Sequence, residues 1–312
     1  MPPGPLLALD TASLYYRSYY ALPESMTAPD GHPNNAVRGL LETVTRLVQA
    51  HSPALVAACW DVDWRPQWRV ERLPSYKTHR LAEPIDRDRA ADAVDEEVPD
   101  TLGPQIAGIA QLLDALGLPR PGAPGFEADD VIATLAHRGD AAGMPPVIVV
   151  TGDRDLVQVV RSGVTLLLTV NGGMDRWPLL DTAAVVERFG VGPDRYVDLA
   201  ILRGDPSDGI PGVPGFGAKT AASVIGAYGS LDAALDAARG GTPQRPLTPR
   251  LSGLLVEHQD LIADMRFVAT ARTDVPVDTP RRAPVDEAAL AAVAAEWGVG
   301  RQVEALRAAL GD

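Results

Sequence analysis

Val147-Ile148-Val149-Val150-Thr151-Gly152-Asp153-Arg154-Asp155 is the stretch on which the reading of the fold turns. Four β-branched residues in a row suit a strand buried on both faces, and Thr-Gly-Asp-Arg-Asp ends it in a polar turn. Working outward, Leu6–Leu9, Leu55–Trp60 and Val164–Val170 are three more short apolar runs. Helical spacing lies between them. It covers residues 34–50 through Val37, Leu40, Leu41, Val44 and Val48, and 102–116 through Ile106, Ile109, Leu112, Leu113 and Leu116. A third helix, 127–137, opens on Glu127, Asp129 and Asp130. Short apolar strands alternating with helices predict an α/β domain, its mostly parallel sheet covered by helices on both faces. After about residue 180 the strand signal fades, and residues 181–312 read as helices broken by Gly/Pro turns. The expected division is therefore 1–180 and 181–312, with an alanine-rich C-terminal helix around Trp297 over 276–312.

Composition narrows the class. The 312 residues carry 28 Lys+Arg against 41 Asp+Glu, a net charge of −13. The single cysteine, Cys59, excludes an intramolecular disulfide and is expected in the core. A 46% hydrophobic and 22% charged composition suits a globular chain. No apolar run reaches the length of about 18 residues that a membrane span needs, and Met-Pro-Pro-Gly-Pro does not resemble a signal peptide. A cytoplasmic protein with no membrane partner is expected. The net acidity, taken alone, argues against a nucleic-acid binder.

The acids are not scattered. Asp10, Asp61 and Asp153 end apolar runs, with Asp155 just beyond, and Glu127, Asp129 and Asp130 open a helix. In open α/β sheets the ligand crevice lies at the carboxyl ends of the strands, so these groups can converge. Asp205 and Asp208 add two more in Gly-Asp-Pro-Ser-Asp-Gly. Any one alone could be a helix cap. Together they would repel one another unless cations sat among them. Oxygen ligands with no histidine or cysteine suit Mg²⁺ or Mn²⁺, and a set this large fits a pair of ions. Whether a third ion binds is left open.

Two further segments bear on charge. Gly212, Gly215 and Gly217 form a turn directly before a helix that starts near Ala218, with Lys219 and Thr220 in its first turn. A helix N-terminus behind a glycine turn suits a phosphate; a glycine turn alone could be a plain helical hairpin, but Asp205 and Asp208 immediately upstream make this one more specific. Residues 62–80 place Arg65, Arg69, Arg72, Lys77 and Arg80 against Asp63 and Glu71, with Trp64 and Trp68 interleaved. Such a stretch could stack an unpaired base or be an ordinary surface helix with buried indoles. Among Tyr15, Tyr16, Tyr19 and Tyr20, the core is the favoured place for Tyr15 and Tyr20.

Phe126-Glu-Ala-Asp-Asp-Val-Ile132, Val150-Thr-Gly-Asp-Arg-Asp155 and the run from Gly204 to Thr220 resemble the bacterial 5′-nuclease family. That family comprises the 5′→3′ exonuclease domain of DNA polymerase I and its stand-alone flap endonuclease relatives. Leu9-Asp10, Tyr16-Arg17, Trp60-Asp61 and Tyr76-Lys77-Thr78-His79-Arg80 fall where the family has further motifs. The resemblance spans about residues 6–275. It implies a PIN-like domain with an arch near 65–100, then a helix-hairpin-helix-type region near 203–228 that grips duplex DNA. It implies that the nine acids named above hold two Mg²⁺ or Mn²⁺ ions. Lys77, Arg80 and Arg17 would serve the scissile phosphate, and Tyr16 and Arg69 the substrate strand. Gly212, Gly215, Gly217, Lys219 and Thr220 would grip the duplex, often with a K⁺ ion.

The sequence also departs from the family. Gly209 stands where the family commonly has Asn. An apparent one-residue insertion leaves Asp63 competing with Asp61. Residues 81–100 hold eight acids (Glu83, Asp86, Asp88, Asp92, Asp95, Glu96, Glu97 and Asp100), which makes the arch acidic.

The resemblance implies hydrolysis of DNA at 5′ ends, flaps or nicks, with RNA–DNA hybrids open, alongside DNA polymerase I and ligase. A PIN-type ribonuclease and a catalytically dead DNA-binding adaptor are the competing classes. Replacing Asp130 or Asp155 by Asn is expected to abolish cleavage and leave the fold intact.

Overall fold

β1 (Leu6–Asp10) is buried along its whole length, with β2 (Leu55–Cys59) and β3 (Val147–Thr151) parallel on its two sides. The structure is a computed structural model and describes residues 4–81, 96–139 and 145–312. β4 (Val164–Leu168) runs parallel to β3, and β5 (Leu179–Leu180) closes the edge antiparallel, in the order β2-β1-β3-β4-β5. The long strands are the four apolar runs of the sequence. The short antiparallel β5 was not expected, because two residues carry no periodicity to read.

Side chains alternate along the strands and so divide between two cores. Leu6, Ala8, Ala57, Cys59, Val147 and Val149 face the first, which α5 (Ala128–Gly139) covers. Leu7, Leu9, Val56, Ala58, Ile148 and Val150 face the second. α1 (Thr11–Ala21), α2 (Asn35–His51) and α4 (Gly103–Ala115) pack there, with α3 (Gln67–Arg72) lying outside it. Both faces of the sheet are thus covered, as the continuous apolar strands require.

The helices of the second half are α6 (Thr182–Phe189), α7 (Tyr196–Arg203), α8 (Ala218–Tyr228), α9 (Leu231–Arg239), α10 (Pro249–Glu257) and α11 (Gln259–Ala269). Tyr196, Leu199, Ile225, Leu255 and Met265 from this half join the first core, so the two halves share apolar packing.

The chain ends in two helices, not one: α12 (Glu287–Glu296) and α13 (Gly300–Leu310), hinged at Trp297-Gly298-Val299. Gly298 turns the chain at φ +63°. The buried Trp297 lies on α4 where Gly108 has no side chain, since a Cβ there would come within 2.3 Å of the indole. Asn34 Nδ2 donates to the Trp297 carbonyl at 2.7 Å.

The tyrosines of α1 correct one expectation. Tyr15 and Tyr19 are buried, but Tyr20 is 73% exposed. Five residues turn a helix by about 140° beyond a full circle, so Tyr15 and Tyr20 cannot share a face. Among the described residues no helix is long and apolar enough to cross a membrane.

Candidate active site

Parallel pairing brings strand ends together. Asp10 is level with Cys59 on β2, and Leu9 with Val150 on β3, so Asp10, Asp61 and Asp153 leave the sheet at one edge. Asp10 is almost fully buried and accepts from Ser13 N at 3.0 Å, capping α1, and from Thr151 Oγ1 at 2.6 Å. Burial, then the neighbouring Asp61, pushes its carboxyl up to about 7 despite those bonds. Asp61 accepts from Ala128 N at 2.7 Å, which fixes the start of α5 beside it, and burial raises its carboxyl too. Asp129 in the first turn of α5 is pushed well up by burial and by Asp153 and Asp10. These four acids and Glu127 line an open cleft of about 890 Å³. Asp63 is turned to the loop before α5, where it accepts from Gly125 N, so Asp61 is the cleft residue of the two.

A second acidic group stands behind the first. Asp155, Asp208, Asp129 and Glu127 border a small void of about 10 Å³. Burial raises Asp155 strongly, with Asp153, Asp208 and Asp205 adding to it. Asp208 is pushed up to about 6, chiefly by burial. One carboxylate oxygen each of Asp155 and Asp208 is buried with no hydrogen-bond donor, the Arg80 guanidinium standing 3.6 Å from the latter. Asp205 lines the cleft and accepts from Ser207 N and Arg203 Nη2, both at 3.0 Å.

Carboxylates held close to protonation, with two orphaned oxygens among them, fit a site that takes hard divalent cations. Among the described residues no group of three His, Cys, Asp or Glu side chains is already arranged to hold an ion as it stands. The donor chemistry fits such ions, and the side chains would have to draw together around them.

Asp130 departs from the expectation. It is fully buried and faces away from the cleft: Arg69 donates to both of its oxygens, at 2.7 and 2.9 Å, and Arg272 N adds a bond at 2.8 Å. Glu127 N reaches the same carboxylate at 3.4 Å, so both oxygens are engaged by the protein itself. The reason is helical: Asp129 and Asp130 are adjacent and point about 100° apart, so only one can face the cleft. Arg69 departs with it. It is 3% exposed and ion-paired to Glu127 and Asp130, so it cannot touch a substrate strand. Its segment reads as basic, but a buried guanidinium between two carboxylates adds nothing to the surface charge.

Lys77 is also buried, its ammonium on Glu127 beside Tyr76, whose hydroxyl donates to Glu127 at 2.7 Å. Burial would raise Glu127, but Lys77 and Arg69 outweigh it and hold the carboxyl below its ordinary range. Lys77 nonetheless lines the cleft, as do Arg80, Arg17 and Tyr16. Arg80 donates to the Ser207 carbonyl at 3.0 Å. Arg17 donates to the carbonyls of Val170 and Gly172 and lies 5.2 Å over the Trp177 ring.

In the glycine turn, Gly212 is buried against the backbone of Gly204, where a Cβ would meet Gly204 N at 2.7 Å. It serves chain packing and does not present itself to a ligand. Gly215, Gly217 and Lys219 are exposed, Thr220 is half-buried, and Gly217 precedes α8 as its N-cap, with no side-chain cap on the helix's N–H groups. Trp64 lines the cleft, whereas Trp68 is tied to the Gly125 carbonyl at 2.9 Å and packs edge-on against Phe267.

Of the acidic segment, Glu83, Asp86, Asp88, Asp92 and Asp95 lie outside the described residues. Glu96 comes into the cleft and accepts the Tyr16 hydroxyl. Its sequence position among eight acids gave no sign of that. Ser13 and Thr151, which bond Asp10, and Arg203, which bonds Asp205, were missed as well: single polar residues carry no pattern until the strands are paired.

The comparisons agree with this architecture. A family model described as the 5′-3′ exonuclease N-terminal resolvase-like domain matches residues 5–190, and one described as the 5′-3′ exonuclease C-terminal SAM fold matches 191–289. A protein of Streptomyces coelicolor named 5′-3′ exonuclease is 49% identical over 309 residues, 96% of this chain and 98% of its own. One of Mycobacterium tuberculosis with the same name is 43% identical, covering 98% of each chain. The solved structure of the T5 D15 protein co-crystallised with metal ions superposes with a TM-score of 0.63 over 98% of each chain, at 18% identity. A likeness at that identity speaks for the fold alone.

Proposed function

The chain belongs to the 5′-3′ exonuclease family, and from that membership we propose that it is a divalent-metal-dependent nuclease that hydrolyses DNA phosphodiesters at 5′ ends, flaps and nicks. The observation that carries the reading is the set of mutually repelling carboxylates, Asp10 buried and Asp61, Asp129 and Asp153 half-buried, gathered where three parallel strands end. A chain that used this cleft only to bind an anionic strand would gain by losing them.

Asp10, Asp61, Asp129 and Asp153 would hold one Mg²⁺ or Mn²⁺ ion, and Asp155, Asp205 and Asp208 the second. Bound there, such ions would acidify a water for in-line attack and stabilise the negative charge on the leaving oxygen. The chain's own residues do the positioning. Arg80 reaches the cleft from the same turn as Lys77 and is the cation best placed to meet a phosphate oxygen. Lys77 must leave or share Glu127 to do so, because its ammonium is held there. Arg17 is anchored to the loop after β4 and orients the strand. The turn from Gly215 to Lys219, exposed apart from the buried Phe216, offers backbone N–H groups and one ammonium to the duplex backbone. A K⁺ ion there, RNA–DNA hybrids as substrates, and work alongside DNA polymerase I and ligase belong to the same proposal.

The test is cleavage of a labelled 5′-flap DNA, a nicked duplex and an RNA strand, each with Mg²⁺, Mn²⁺ or EDTA. Metal-dependent release of short 5′ products from the DNA substrates is expected. Cleavage confined to RNA, or none at all, would overturn the reading.

A further inference from the structure

We propose that Tyr20 is a stacking platform for an unpaired nucleobase of the strand that enters the cleft, and that it thereby helps to choose which junctions are bound. The proposal rests on the nuclease reading above. Tyr20 is 73% exposed, the most open of the large apolar side chains among the described residues. A single exposed ring is ordinary by itself; what singles Tyr20 out is its setting.

Its setting states what the contact is. Tyr20 lines the same cleft as the carboxylates, one helical turn beyond Tyr16. The two rings lie within 13° of parallel, with centroids 6.5 Å apart, and form a ledge on one face of α1. Tyr19 supports Tyr20 from behind, edge-on at 81° and 5.1 Å. Tyr19 is itself fixed: it is buried, and its hydroxyl bonds Glu24 at 2.5 Å and Thr101 at 2.8 Å. Tyr20 is thus a held ring, open on its outer side. The cations on the cleft walls, Arg17 and Arg80, suit phosphates. A planar aromatic surface beside a phosphate track is the arrangement that takes a single-stranded base, whatever its identity, because every base has a π-face.

The experiment compares the full chain with Tyr20→Ala and Tyr20→Phe. Flap DNAs carry either normal bases or one abasic site, moved stepwise across the junction. Binding is read by anisotropy in EDTA and cleavage separately with Mg²⁺. Tyr20→Ala is expected to weaken binding about five- to hundredfold, the range of one lost base–aromatic stack. Tyr20→Phe should bind as the parent does, since stacking needs no hydroxyl. One abasic position should cost the parent as much as the Ala substitution costs, and should cost the Ala variant nothing. Equal binding by parent and Tyr20→Ala, or an abasic profile identical in both, overturns the proposal. Failure of the parent to cleave any DNA tells against the nuclease reading instead, and the binding arm still decides Tyr20.

Discussion

Gly209 and Ser75 stand so close that no side chain fits between them: a Cβ on Gly209 would lie 2.1 Å from the Ser75 carbonyl oxygen, at φ +69°. Three hydrogen bonds surround this contact. Ser75 Oγ donates to the Gly209 carbonyl at 2.8 Å, Lys77 N to the Asp208 carbonyl at 3.1 Å and Arg80 to the Ser207 carbonyl at 3.0 Å. The clasp sets the segment bearing Lys77 and Arg80 against the loop bearing Asp205 and Asp208. Gly209→Ala should part the two, through the clash and the unfavourable φ of about 1–2 kcal/mol. A fall of at least tenfold in cleavage at saturating substrate is expected, with only a modest drop in melting temperature. Single-turnover rates and a melt on the same preparation check it; unchanged rates would count against the clasp.

Asp155 and Asp130 should separate when each becomes Asn. Asp155 bears an orphaned oxygen and is crowded by Asp153, Asp208 and Asp205. Removing its charge relieves repulsion, so Asp155→Asn should melt a few degrees higher in EDTA while losing cleavage. Asp130 is buried in bonds to Arg69. Breaking such a pair from one side costs about 3–5 kcal/mol, so Asp130→Asn should lose stability first and activity with it. We therefore expect an intact fold for Asp155→Asn and not for Asp130→Asn. Urea melts of the two variants decide the matter.

Stability without metal should fall as pH rises. Asp10 titrates near 7 and Asp208 near 6 in the folded chain, against an ordinary 3.8. A carboxyl raised by folding keeps its proton longer in the native state, so the native state binds more protons in that window and stability drops as the pH climbs through it. Glu127, held low, contributes stability that is fully present above the ordinary carboxylate range and is lost only as the pH falls below it, so it does not reverse the trend. In EDTA the melting temperature should decrease from about pH 5 to pH 7.5, and Mg²⁺ or Mn²⁺ should restore it at the higher pH. A flat or rising profile in EDTA would falsify this account of the carboxylates.

Gly108→Ala tests the C-terminal helices. The added methyl would meet the Trp297 indole at 2.3 Å. Overpacking of this kind costs about 1–3 kcal/mol. Chemical denaturation should show a loss in that range, with cleavage unchanged at temperatures where the fold is intact, because neither Gly108 nor Trp297 lines the cleft.

Some of this molecule is local in the sequence. Val147–Val150 and Leu6–Leu9 are apolar throughout because a parallel strand covered on both faces admits nothing else, so sheet and helices could be read from periodicity. The carboxylates at strand ends could be read too, since parallel strands must finish at one edge. What required the tertiary structure is direction. Asp129 and Asp130 are neighbours in the chain, yet one faces the cleft and the other a buried arginine. Tyr15 and Tyr20 are both tyrosines of one helix, yet one is core and the other open. Arg69 belongs to a basic segment, yet it neutralises Glu127 and Asp130 inside the protein. Residue type and spacing establish which chemistry a segment can do. Which way each side chain points is decided by partners distant in sequence, here as far apart as Arg69 and Asp130 or Ser75 and Gly209, and only packing brings those together.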